Sequence, residues 1–141
     1  MMKVLNQRGV AAFEFCLIAV PIFMFILAMF DLGRYAITIQ SLNVIANAQA
    51  RAIMIGCYTN AKVQSTSPSA CTSDPLTDTQ KKALAPYLYG AGQKPTTLIS
   101  SAKGGTSPLT VTTSKSFTML MPIWGWPSGG KIVSASTTVP F

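Results

Sequence analysis

From Val10 to Phe30 the chain is apolar at every position except Glu14. A helix of this length rises about 30 Å, enough to cross the hydrocarbon core of a bilayer. The run therefore predicts a transmembrane helix over residues 10–30, and everything after it must fold from a membrane anchor. A carboxylate inside such a span costs about 2.5–3.5 kcal/mol at the bilayer centre and less near its edge. Glu14 lies near the edge, so it either snorkels to the interface or awaits a positive partner within the membrane.

Residues 1–9 are short and polar, with Lys3 and Arg8 and no acidic residue. By the positive-inside rule this leader stays in the cytoplasm and the rest is exported. An ordinary cleaved signal peptide fits poorly. The apolar run is long for one, and the small-x-small triplets Ala46–Ala48 and Ala48–Ala50 lie too far downstream.

The segment Arg8-Gly9-Val10-Ala-Ala-Phe-Glu14-Phe, followed by the apolar run and by Asp31-Leu-Gly33-Arg34-Tyr35, resembles the TadE-like minor pilins (pseudopilins) of tight-adherence type IV pili. The Phe-Thr-Leu-Ile-Glu pattern of ordinary type IV pilins is absent. The resemblance covers about the first third of the chain. It implies that a prepilin peptidase cuts between Gly9 and Val10, and that the freed amino terminus pairs with Glu14 of a neighbouring subunit. The implied partners are that peptidase, other pilin and minor pilin subunits, and the inner-membrane assembly platform. The implied location is the bacterial inner membrane, and the pilus or cell surface after assembly.

Beyond Phe30 a helical rhythm continues. Leu32, Tyr35, Ile39, Leu42, Ala46 and Ile53 recur in steps of three and four, with Ala50 and Met54 beside them. Arg34, Gln40, Asn43, Asn47, Gln49 and Arg51 fall between them. No proline occurs from Ile22 to Ser67. The pattern predicts one helix from Ala11 to Ile55, ending near Gly56 and roughly 65–70 Å long. Its residues 31–56 form an amphipathic periplasmic continuation whose apolar stripe must be covered. Pro21 should kink the membrane half.

Residues 57–141 are expected to form a small periplasmic domain. Tyr58 to Pro75 reads as a loop rich in Ser, Thr and Pro with Cys57 and Cys71 at its edges. In an oxidising compartment the two close a disulfide; the alternative is two free thiols. Cys16, in the apolar run, is a small hydrophobe. Thr77-Asp-Thr-Gln80 reads as a capping box, opening a short helix from Asp78 to Ala85 that stops at Pro86. Tyr87, Leu88 and Tyr89 form an apolar patch, and Gly90 to Pro95 a linker. Thr96–Ser101 is a short strand, with a turn at Gly104-Gly105. Leu109, Val111, Thr113, Phe117, Met119 and Met121 alternate with polar residues, Lys115 interrupting the apolar face. Val133, Ala135, Val139 and Phe141 mark a last strand. Between these two strands lies a Trp/Pro/Gly loop in which Trp124 and Trp126 offer a contact surface. The predicted fold class is α+β and pilin-like: a long N-terminal helix packed by a small antiparallel sheet.

Hydrophobic residues make up 49% of the chain and charged residues 11%, with mean hydropathy +0.38, which suits a membrane anchor better than a soluble domain. The net charge of +7 is spread singly apart from Lys81-Lys82, so it does not form a nucleic-acid footprint. There is no histidine, which removes His triads and His metal sites. No phosphate-binding loop, dinucleotide fingerprint or catalytic constellation is present, so no cofactor and no enzymatic activity are expected. Asp74 and Asp78 read as cap and turn residues. Two functions fit: a processed minor pilin, and a permanently anchored module that binds a partner or glycan without processing.

Overall fold

A computed structural model describes residues 7–65, 71, 73–92, 94–101, 109–120 and 130–139. The long helix α1 spans Gln7–Ile53 without interruption, Pro21 included. A π-helical turn, Met54–Tyr58, and a short helix α2, Thr59–Val63, extend it. Helix α3 covers Asp78–Leu84, and a 3-10 helix covers Pro86–Gly92. Three strands follow: β1 at Thr96–Ser101, β2 at Leu109–Phe117 and β3 at Lys131–Val139. They pair antiparallel in the order β1-β2-β3, with Ile99 opposite Val111 and Val111 opposite Thr137. The architecture is α+β, a long helix carrying a small antiparallel meander.

The helix does not end near Gly56. A glycine stops a helix by taking a left-handed conformation, and here that conformation falls on Ser65, with φ of 53°. At Gly56 the chain instead widens by one residue per turn, so that the Thr59 amide bonds back to the Met54 carbonyl. Two side chains stabilise the widened turn: Thr59 Oγ1 donates to the Met54 carbonyl at 2.7 Å and Asn60 Nδ2 to the Gly56 carbonyl at 3.1 Å. The region expected to be loop after Tyr58 is therefore helical through Val63.

The sheet covers the second half of α1. Period-two alternation places Leu109, Val111, Thr113 and Phe117 of β2, and Val133, Ala135 and Val139 of β3, against the helix. The core divides along the helix axis into two clusters. One joins Leu42 and Ile45 to Ala85, Leu88, Phe117, Val133 and Ala135, with Tyr35 and Ile39 at its margin. The other joins Ala50 and Ile53 to Cys71, Leu109, Val111 and Val139. Of the expected stripe, Leu32 lies outside the sheet's reach at 59% exposure, and Met54 turns outward in the π-helical turn. Ile45 and Gln49, by contrast, are fully buried.

Thr77 and Gln80 form the capping box: the Gln80 amide donates to Thr77 Oγ1, and the Thr77 amide donates to Gln80 Oε1 at 3.0 Å. The two aspartates serve different partners. Asp78 pairs with Lys94 at 2.6 Å on the surface. That contact holds the Asp78 carboxyl below its usual range and the Lys94 ammonium above its own, but both groups are solvated and the pair adds little stability. Asp74 binds Lys81, whose side chain is buried. It also accepts from Gln49 Nε2 at 3.2 Å, and Gln49 reaches Thr97 Oγ1 at 3.1 Å. This cluster ties α1, the Asp74 turn, α3 and β1 together.

Cys57 and Cys71 form a disulfide with Cα atoms 5.8 Å apart, closing a sequence separation of 14. It pins the chain after α2 to the π-helical turn. A loop of this size contributes about 3 kcal/mol by restricting the unfolded chain. Denatured, unreduced protein should thus take up label on one thiol, Cys16. Labelling at all three cysteines would reject the bridge. Cys57→Ser should lower domain stability by about 3 kcal/mol.

The turn at Gly104-Gly105, the position Met121, the end of the last predicted strand at Pro140 and Phe141, and Trp124 and Trp126 lie outside the described residues.

Candidate assembly site

The apolar half of α1 shares no core with the rest of the protein. A window of eighteen of its residues has mean hydropathy 2.5 and is 0% buried. Phe13, Phe15, Phe23, Phe25 and Phe30 are all more than half exposed. The helix is thus long and apolar enough to cross a membrane, and its surface is left for lipid or for neighbouring helices.

Gly9, Val10 and Glu14 sit in the first turns of this helix. Val10 and Glu14 are one helical turn apart, so they share a face about 6 Å apart along the axis. Both are exposed. A Cβ added at Gly9 would meet nothing within 4 Å, and Gly9 is not among the residues of positive φ. The fold itself makes no use of that glycine, which even costs the helix about 1 kcal/mol relative to alanine. Glu14 likewise has no ion pair or hydrogen bond among the described residues.

Just past the apolar run, a polar group was not anticipated. Asp31 is 1% exposed and its Oδ1 lies 3.2 Å from Arg34 Nη1. The Arg34 guanidinium lies 5.5 Å from the centre of the Phe117 ring, and Tyr35 meets the same ring edge-on at 5.6 Å. Thr38 Oγ1 donates to the Arg34 carbonyl at 2.8 Å. On β2, Lys115 donates to the Leu88 carbonyl, and burial pushes its ammonium below the ordinary lysine range. The sequence signal for this group was the pair Asp31 and Arg34 at i,i+3, together with Lys115 on an apolar strand face. Both were visible, but their convergence required the sheet register. Phe117 and Lys131 are opposite each other in that register, so these paired ends of β2 and β3 lie at the Arg34 end of the domain.

Among the described residues no group of three or more Cys, Asp or Glu is placed to hold a metal ion. Comparison with curated proteins and with solved structures found no significant match. The family model described as TadE-like protein matches residues 9–51. That interval begins at the glycine the fold leaves unused and ends beneath the sheet. The likeness to that family thus lies in the long helix, over less than a third of the chain.

Proposed function

We propose that this protein is a structural minor pilin, or pseudopilin, of a tight-adherence type IV pilus. A prepilin peptidase processes it between Gly9 and Val10, and it then joins assembly through Glu14. The observation that carries this reading is the pair of unspent residues. Gly9 has open space around it and Glu14 has no partner among the described residues, and they lie at the start of a helix matched as TadE-like. A peptidase that needs a small residue accounts for the first, and a neighbour's ammonium for the second. Lys3 and Arg8 ahead of the span orient the N-terminus to the cytoplasm and the sheet domain to the periplasm. The partners are the peptidase, other pilin subunits and the inner-membrane assembly platform.

The test is the intact mass of the protein purified from membranes that also contain the prepilin peptidase. The expected species starts at Val10. Gly9→Leu should abolish that species while leaving the helix intact, since leucine favours helix over glycine by nearly 1 kcal/mol. An unprocessed parent chain would refute the pilin reading and leave the permanently anchored binding module in its place.

A further inference from the structure

A cavity of about 370 Å³ opens between α1, the 3-10 helix and the end of β2. Arg34 and Thr38 line it from the helix, Tyr87 from the 3-10 helix, and Lys115 and Ser116 from the strand, with Thr118 just past its end. Two cations and several hydroxyl groups thus converge from three separate elements. Asp31 pairs with Arg34, and none of the described residues that line the cavity is acidic. Arg34 is steadied by Phe117 and is still 39% exposed in its side chain. Lys115 has only a neutral carbonyl as its acceptor among the described residues.

The height of the cavity is set by the helix. Arg34 is four residues beyond Phe30, about 6 Å along the axis. The polar layer on each side of a bilayer is about 5–8 Å deep. Phe117 touches both Arg34 and Tyr35, which brings the end of β2 to the same level. The cavity therefore opens at headgroup depth.

We propose that this cavity binds a phosphate group, carried by an anionic phospholipid of the outer leaflet. The inference rests on residues 10–30 spanning the membrane. Arg34 supplies a planar pair of donors that match phosphate oxygens, and Lys115 supplies a compact charge from the opposite wall. An anion there would also compensate the partly desolvated Lys115 ammonium, whose basicity burial has lowered. The domain would be seated on the membrane by a bound headgroup, in addition to its helix.

The experiment reconstitutes the full chain in nanodiscs of equimolar phosphatidylcholine and phosphatidylglycerol, and counts retained lipids by native mass spectrometry. The parent should retain phosphatidylglycerol in preference. Arg34→Gln and Lys115→Gln should each reduce that preference roughly tenfold, and Lys115→Arg should restore it. Formation of the Cys57–Cys71 disulfide reports that each variant has folded. In a second arm, inorganic phosphate is added to the detergent-solubilised chain. If phosphate raises its melting temperature in the parent but not in the Gln variants, while neither lipid is preferred, the phosphate site stands with a soluble source. Equal retention of both lipids with no phosphate effect overturns the proposal, as do Gln variants that behave like the parent. A chain that does not enter the discs overturns the membrane span as well, whereas failed processing at Gly9 leaves this site untouched.

Discussion

Glu14→Ala is expected to insert into the membrane at least as well as the parent chain and to lose nearly all of its incorporation into pili. The carboxylate has no partner among the described residues, so removing it takes away the cost of holding a charge near lipid. The nearest downstream cation on the helix, Arg34, is about 30 Å away along the axis and is engaged with Asp31. In the proposed assembly the missing attraction is to the Val10 ammonium of a neighbouring subunit. Two unit charges about 4 Å apart at an effective dielectric of about 20 attract by about 4 kcal/mol. Losing that shifts an association equilibrium by roughly a thousandfold. Glu14→Gln should fail like Glu14→Ala, because the charge rather than the size is at issue. Crosslinking and pilus counts, set against membrane insertion, decide the matter. Undiminished incorporation would remove Glu14 from assembly, and diminished insertion would assign it a folding role.

Asp74→Ala should be the most damaging single polar change in the sheet domain, and clearly worse than Lys81→Met. The two partners of this ion pair are unequally placed. The Asp74 side chain is 36% exposed, whereas that of Lys81 is 7% exposed. Without Lys81, Asp74 still reaches water, the Leu76 amide and Gln49. Without Asp74, a buried ammonium and the fully buried Gln49 both lose an acceptor or partner, and Gln49 Oε1 already lacks one among the described residues. Removing one side of a buried pair costs about 3–5 kcal/mol, and partial exposure of this one places Asp74→Ala near about 3 kcal/mol. Lys81→Met should cost about 1 kcal/mol, the net worth of an ordinary hydrogen bond. For a domain this small, about 3 kcal/mol lowers the melting temperature by at least roughly 10 °C. Thermal unfolding of the two variants in detergent, read by circular dichroism, measures the difference. Equal losses would show that the burial asymmetry does not govern this pair.

What could be read from residues alone follows from how local each signal was. The apolar run, the Thr77–Gln80 cap and the β2 and β3 alternation depend on neighbours within a few positions, and the structure forms a helix, a capped helix and two strands there, with β2 stopping at Phe117, short of Met119. The disulfide needed only two cysteines and an oxidising compartment. The end of the helix was not legible. A glycine is a stop only if it turns left-handed, and at Gly56 Thr59 and Asn60 satisfy the carbonyls that a widened turn leaves open. Nor was the burial of Gln49, because its partners Asp74 and Thr97 are 25 and 48 residues away. The same holds for the cavity between Arg34 and Lys115. Each residue was visible as a charge in an apolar setting, and only the packing of β2 against the helix brings them to one cavity. For Gly9 and Glu14 the sequence pattern singles the residues out, and neither makes a side-chain contact among the described residues.

The unbroken course of α1 from its first turns to the sheet makes the subunit a single rotor. No joint separates the face that carries Glu14 from the face that carries the strands, so their azimuths about the helix axis are locked together. One residue inserted between them would swing the carboxylate through about 100° and shift it by about 1.5 Å. Seven inserted residues would return it to within about 20° of its bearing, but about 10 Å deeper. The length of the bare helix thus answers to two clocks at once, bilayer thickness and angular phase. A subunit built this way enters any array with its outward-facing surface already aimed.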